Sequence, residues 1–88
     1  MNKNDKITEL LKKLGLTEPE ITVYFYLLER GSALSVSDIA KGISSFRPIV
    51  YKALSLLLDK GLVSSSIKGK RKQYIAEHPE KIRGMLTD

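Results

Sequence analysis

Lys68, Lys70, Arg71 and Lys72 surround a single glycine, Gly69, and form the densest chemistry in this 88-residue chain. Four positive charges on one tight turn repel one another unless an anion lies close by, so a phosphate backbone is a natural partner. A solvated turn whose charge discourages strand pairing is the plainer alternative. Just upstream, residues 47–60 form an amphipathic run that includes Arg47 and Lys52. Residues 39–76 carry eight cations (Lys41, Arg47, Lys52, Lys60 and the four of the turn) and one acid, Asp59. The remainder carries seven cations and nine acids, so the net +5 divides into +7 and −2. A focused field attracts a polyanion, whereas evenly spread charge mainly keeps a protein soluble.

Catalytic chemistry is poorly provided for. His78 is the only histidine and stands beside Pro79, where a helix start or an exposed loop explains it. A Ser-His-Asp arrangement would need that histidine in a cleft. The chain has no cysteine, no phosphate-binding glycine loop and no cluster of metal ligands at useful spacing. Glu18 and Glu20 look like paired carboxylates, but acids are favoured at a helix N-terminus for electrostatic reasons. Three serines at 64–66 read as solvent-side filler of a strand. No enzyme, cofactor or metal is expected.

The elements that must position these cations follow from periodicity. Ile7, Leu10, Leu11 and Leu14 fall on one helical face that Gly15 stops. Thr17 and Glu20 make a capping box for a second helix, with Leu16 stapled to Ile21 and Pro19 in the first turn. Its apolar stripe is Ile21, Tyr24, Phe25 and Leu28, and Gly31 ends it. Residues 32–34 form a short connector, read as a single edge strand at most. Ser35 and Asp38 then cap a third helix with Val36, Ile39, Ala40 and Ile43 inward, and residues 42–45 form a tight turn. A fourth helix, 45–60, begins at Ser44 or Ser45, buries Val50, Ala53, Leu54, Leu57 and Leu58, and stops at Gly61.

Beyond Gly61 the pattern becomes strand-like over 62–67, turns at Gly69 and resumes over 72–76, with Tyr74 as an inward anchor. His78, Pro79 and Glu80 open a last short helix carrying Ile82, Met85 and Leu86. With 42% apolar and 28% charged residues, 1–88 reads as a single globular domain. The longest apolar run, 23–28, is too short to span a bilayer, and the polar start carries no signal core. A cytoplasmic protein without a membrane partner is expected.

The order of elements defines a mainly α fold with a small β-hairpin. An N-terminal helix, a three-helix core, a two-stranded wing and a short C-terminal helix make a winged helix-turn-helix. In that arrangement helix 45–60 enters the major groove of double-stranded DNA while the basic wing 68–72 follows the phosphate backbone. Its outward side carries Pro48, Ile49, Lys52, Ser55, Leu56 and Asp59. Phe46, Arg47, Ile49 and Lys52 are the candidates near base edges, with Ser44, Ser45 and Tyr51 as hydroxyl donors to phosphate. Arg47 can read a guanine through O6 and N7, and Ile49 can rest on a thymine methyl. In the alternative reading Phe46 belongs to the core, Tyr51 packs on the wing and Arg47 is a solvated cation.

Several fragments resemble the DNA-binding domain of TrmB-type transcriptional regulators and, more loosely, the MarR-like winged-helix group. They are Leu14-Gly-Leu-Thr-Glu-Pro-Glu, Ser37-Asp-Ile-Ala-Lys, Arg47-Pro-Ile-Val-Tyr-Lys-Ala-Leu, Lys60-Gly-Leu-Val, and Lys72-Gln-Tyr ahead of a Pro-Glu pair. The resemblance spans roughly residues 6–86 and rests on order and spacing. It implies a sequence-specific transcriptional regulator. Such proteins usually add a dimerisation segment and often a sugar-binding domain, which this sequence, ending at Asp88, does not show, so no effector site is expected within it. Ser44-Ser45-Phe46 also replaces the usual glycine and aliphatic residue before the fourth helix.

A homodimer is expected, since paired half-sites multiply the specificity of a small domain. A repressor is expected before an activator, because steric exclusion needs no further domain. The competing reading is a winged helix used as a protein-protein interaction module of a transcription assembly, which Ile49 and Leu56 on the outward face favour. RNA ranks below both, for want of an aromatic stacking surface.

Overall fold

A computed structural model describes residues 3–78 and 80. In order along the chain stand α1 (Lys3–Lys13), α2 (Glu18–Arg30), α3 (Val36–Gly42), α4 (Arg47–Asp59), β1 (Val63–Lys68) and β2 (Arg71–Ala76). The strands pair as an antiparallel hairpin, and the whole is the expected winged helix-turn-helix. The anticipated C-terminal helix with Ile82, Met85 and Leu86 lies outside the described residues.

Local signals account for most boundaries. Glu20 accepts the backbone N–H of Thr17 at 3.0 Å, and the Thr17 hydroxyl donates to the same carboxylate at 2.8 Å. Gly31 ends α2 at φ 64°, its N–H donating to the Leu27 carbonyl. Ser35 accepts the Asp38 N–H at 3.2 Å and so caps α3. Gly42, the last residue of α3, lies beneath the Tyr26 phenol, and any Cβ there would collide with that ring.

Three expectations need correction. The fourth helix begins at Arg47, not at 45, and Phe46 is its cap without contributing a side-chain hydrogen bond. The backbone at Ser44 turns left-handed (φ 52°), which delays helical geometry past both serines. The apolar face of α2 is wider than the four-residue stripe. Val23 and Leu27 are fully buried while Phe25 and Leu28 are only half-buried. That helix packs on α4, α3 and β2 at once, so one stripe cannot serve all its neighbours. On α1 the expected face is unevenly used, with Leu11 buried and Ile7, Leu10 and Leu14 half-buried.

The wing is locked to this core. Lys68 pairs with Arg71, leaving Gly69 and Lys70 as a two-residue turn, and Gly69 supplies the positive φ (65°) at its first position. Tyr74 is buried and exchanges two backbone hydrogen bonds with Leu34, 2.9 and 2.8 Å, so the connector adds a third, one-residue edge. Tyr24 reaches the chain leaving the wing, its hydroxyl donating to the Glu77 carbonyl at 2.7 Å. Burial first, and the nearby Glu77 charge second, push the Tyr24 phenol up to about 12. Among the described residues no helix is long and apolar enough to cross a membrane.

Candidate nucleic-acid interface

Helix α4 is the element on which the candidate contacts converge. Val50, Ala53, Leu54 and Leu57 are buried beneath it, so the opposite crest, Pro48, Lys52, Ser55 and Asp59, faces solvent. At 3.6 residues per turn, Arg47 and Tyr51 share one flank of that crest, while Ile49 and Leu56 share the other.

The flank toward the wing is cationic. Ser35, Val36, Ser37, Arg47, Tyr51, Arg71, Lys72 and Tyr74 line a cleft of about 370 Å³ between α3, α4 and β2. Arg47 reaches back across it, its Nη2 donating to the Ser37 Oγ at 2.9 Å. Lys72 holds its ammonium 5.8 Å from the centre of the Tyr74 ring. Among the described residues no carboxylate lines this cleft.

The flank toward α2 differs. Gly15, Thr17, Pro19, Glu20, Ile49, Lys52, Ala53, Ser55, Leu56 and Asp59 border an open groove of about 720 Å³. A smaller hollow beside it brings Ser44, Ser45 and Ile49 against Glu18, Pro19, Thr22 and Ile43.

Of the candidate contact residues, Ser45 is half-buried; Ser44, Phe46, Arg47, Ile49, Tyr51, Lys52, Lys68, Lys70, Arg71 and Lys72 are exposed. Phe46 is 76% exposed and is not a core residue. Tyr74, by contrast, packs inward as the anchor of the hairpin. The structure therefore brings Arg47, Tyr51, Arg71 and Lys72 together, and sets Ser44, Ser45 and Ile49 on the far flank, with Lys52 on the crest at the rim of that groove. Lys68 flanks the turn and Lys70 lies within it, at the tip of the wing. The cationic surplus is thus not gathered whole. Lys52 opens beside Glu20 and Asp59, and the Lys60 ammonium lies near Gly15 in the turn between α1 and α2.

Sequence reasoning passed over Ser37 and Ile67. Ser37 is recognisable only once α3 and α4 are packed, since its partner stands ten residues on. Ile67 pairs with Lys72 across the hairpin and is exposed. An isoleucine beside a cationic turn was the available signal.

Fold and surface together define a winged-helix transcriptional regulator. Residues 11–80 match the family described as sugar-specific transcriptional regulator TrmB, and the chain belongs to that family. It is 52% identical over 50 residues to the uncharacterized protein MJ1082 of Methanocaldococcus jannaschii, a stretch covering 57% of this chain and 41% of that protein. The chain thus spans less than half the length of this relative. The crystal structure of the ST1889 protein from the thermoacidophilic archaeon Sulfolobus tokodaii matches with TM-score 0.85 at 20% identity, over 98% of this chain and 89% of that one. A mutant of MepR from S. aureus, bound to an oligodeoxyribonucleotide, matches with TM-score 0.72 at 22% identity, over 94% and 67%. At such identities the likeness concerns the fold. The family is one of transcriptional regulators. Among the described residues no group of three or more histidines, cysteines or acids could hold a metal ion.

Proposed function

We propose that this protein is a sequence-specific regulator that binds double-stranded DNA, acting in the cytoplasm as a homodimer and repressing by occupying its site. The supporting observation is the acid-free cleft lined by Arg47, Arg71 and Lys72 beside the exposed crest of α4. In this reading the N-terminal part of α4 enters the major groove, with Phe46, Ile49 and Lys52 near base edges. Lys68, Lys70, Arg71 and Lys72 follow the backbone, and Ser44, Ser45 and Tyr51 offer hydroxyls to phosphates. The dimer brings two such helices to paired half-sites, and the half-buried Ile7, Leu10 and Leu14 of α1 supply the remaining apolar surface for it.

Selection from a random duplex pool tests this reading. A recovered palindrome with steeply salt-dependent binding supports it, and failure to bind any duplex at low salt removes it. A second reading, a protein-interaction module, is favoured by the groove that Ile49 and Leu56 share with Pro19 and Ala53. Binding to a protein partner that resists salt and needs no nucleic acid would select that reading.

A further inference from the structure

We infer that the cleft between α3, α4 and β2 seats one backbone phosphate, and that Arg47 is its clamp rather than a guanine reader, with Ser37 as the positioning residue. This deepens the DNA-binding reading above and rests on it.

To read guanine, Arg47 would have to send two parallel N–H groups off the crest of α4 toward O6 and N7. Instead its Nη2 donates to Ser37 on α3, which holds the side chain in the cleft on the wing-side flank, away from the crest. A guanidinium has five N–H donors in a rigid fork, so one bond to Ser37 leaves four for an oxyanion.

The surroundings say which oxyanion chemistry is wanted. Arg71 and Lys72 line the same cleft without a carboxylate among their neighbours there. Three like charges around one hollow are unfavourable until an anion enters. Ser37, which accepts from Arg47, retains its own O–H to donate. Arginines, a lysine and a hydroxyl suit a phosphodiester, whose oxygens accept several charge-assisted hydrogen bonds together.

The position is also the right one within the reading. The cleft lies between the crest of α4 and the wing, so a phosphate held there bridges the groove-reading helix and the backbone-tracking hairpin. Arg47 would then set the register of the helix on the duplex and carry no base identity of its own.

The test compares the unaltered chain, Arg47→Ala and Ser37→Ala on a selected duplex in which single phosphates are replaced, one at a time, by uncharged methylphosphonate. The wild-type chain should lose affinity sharply at one linkage per half-site. Arg47→Ala should bind about tenfold more weakly. Its salt slope should fall by about one, and it should be indifferent to the charge at that linkage. Its ranking of single base-pair substitutions should be unchanged. Ser37→Ala should shift sensitivity at the same linkage in the same direction but less, which a merely structural serine would not do.

Relaxed preference at one base pair with an unchanged salt slope would make Arg47 a base reader and overturn the inference. So would an Arg47→Ala variant that keeps full sensitivity at every linkage. Free phosphate is distinguished by replacing chloride with inorganic phosphate at matched ionic strength. Phosphate binding to the free protein that is lost in Arg47→Ala, while duplex affinity neither falls in phosphate nor depends on any single linkage, would assign the cleft to a free anion and likewise overturn it. If the unaltered chain binds no duplex, the DNA reading itself falls, a result separate from all of these.

Discussion

The two flanks of α4 share a helix and differ in nearly everything else. Toward the wing stand Arg47, Tyr51, Arg71 and Lys72, around a cleft without an acid. Toward α2 stand Ile49, Ala53 and Leu56, around a groove that Lys52 lines together with Glu20 and Asp59. A positive potential is strongest where no carboxylate offsets it, so the proposed anion seat falls on the first flank. The second offers apolar edges that can meet a thymine methyl or a protein. The contrast teaches that net charge along the chain is a poor guide to field. Lys52 and Lys60 add to the total, yet they stand away from the cleft.

Several substitutions would break or sharpen that contrast. Tyr74→Ala should have the largest effect, since it removes a buried ring from the base of the wing, at a cost of about 3–5 kcal/mol in urea denaturation. The cationic cleft should collapse with it while the α2-side groove keeps its shape. Lys70→Glu with Arg71→Glu should leave stability nearly intact but weaken binding to every duplex by roughly a hundredfold and flatten the salt dependence. Unchanged slopes in a salt titration would remove the wing from the interface. Ile49→Ala, on the opposite flank, should cost about 1 kcal/mol at one base pair and leave the salt slope alone. An equal loss on all duplexes would make that flank a nonspecific surface.

The smallest effect is confined to alkali. Because the folded state raises the Tyr24 phenol from 10.0 to about 12, folding holds that proton more tightly than the unfolded chain does. Its contribution is complete below pH 10 and declines as the pH rises toward 12. Tyr24→Phe should therefore show a shallower loss of thermal stability across that window than the wild type. A parallel decline in both proteins would detach the effect from Tyr24.

Much of the architecture was legible because its signals act within a few residues. Thr17 with Glu20, Ser35 with Asp38, and Gly31 mark helix ends through bonds spanning three or four positions. Gly69 marks the wing turn in the same way. The start of α4 was misread because serine is a good cap by type, and only the left-handed backbone at Ser44 shows that neither serine takes that place. The breadth of α2 was misread for a different reason. A single apolar stripe is what one neighbour requires, and α2 packs on α4, α3 and β2 at once. The candidate contact residues are exposed apart from the half-buried Ser45, but their division between two flanks was invisible along the chain.

What the chain alone determined is the succession of elements, the basic hairpin and the membership in a family of winged-helix regulators, because caps, glycines and periodic apolar residues act locally. What tertiary structure decided is which charges share a space. Arg47 and Ser37 meet across ten residues, and Tyr24 and Glu77 across fifty-three, because separate elements pack on one core. An electric field depends on distances through space, and folding creates those distances.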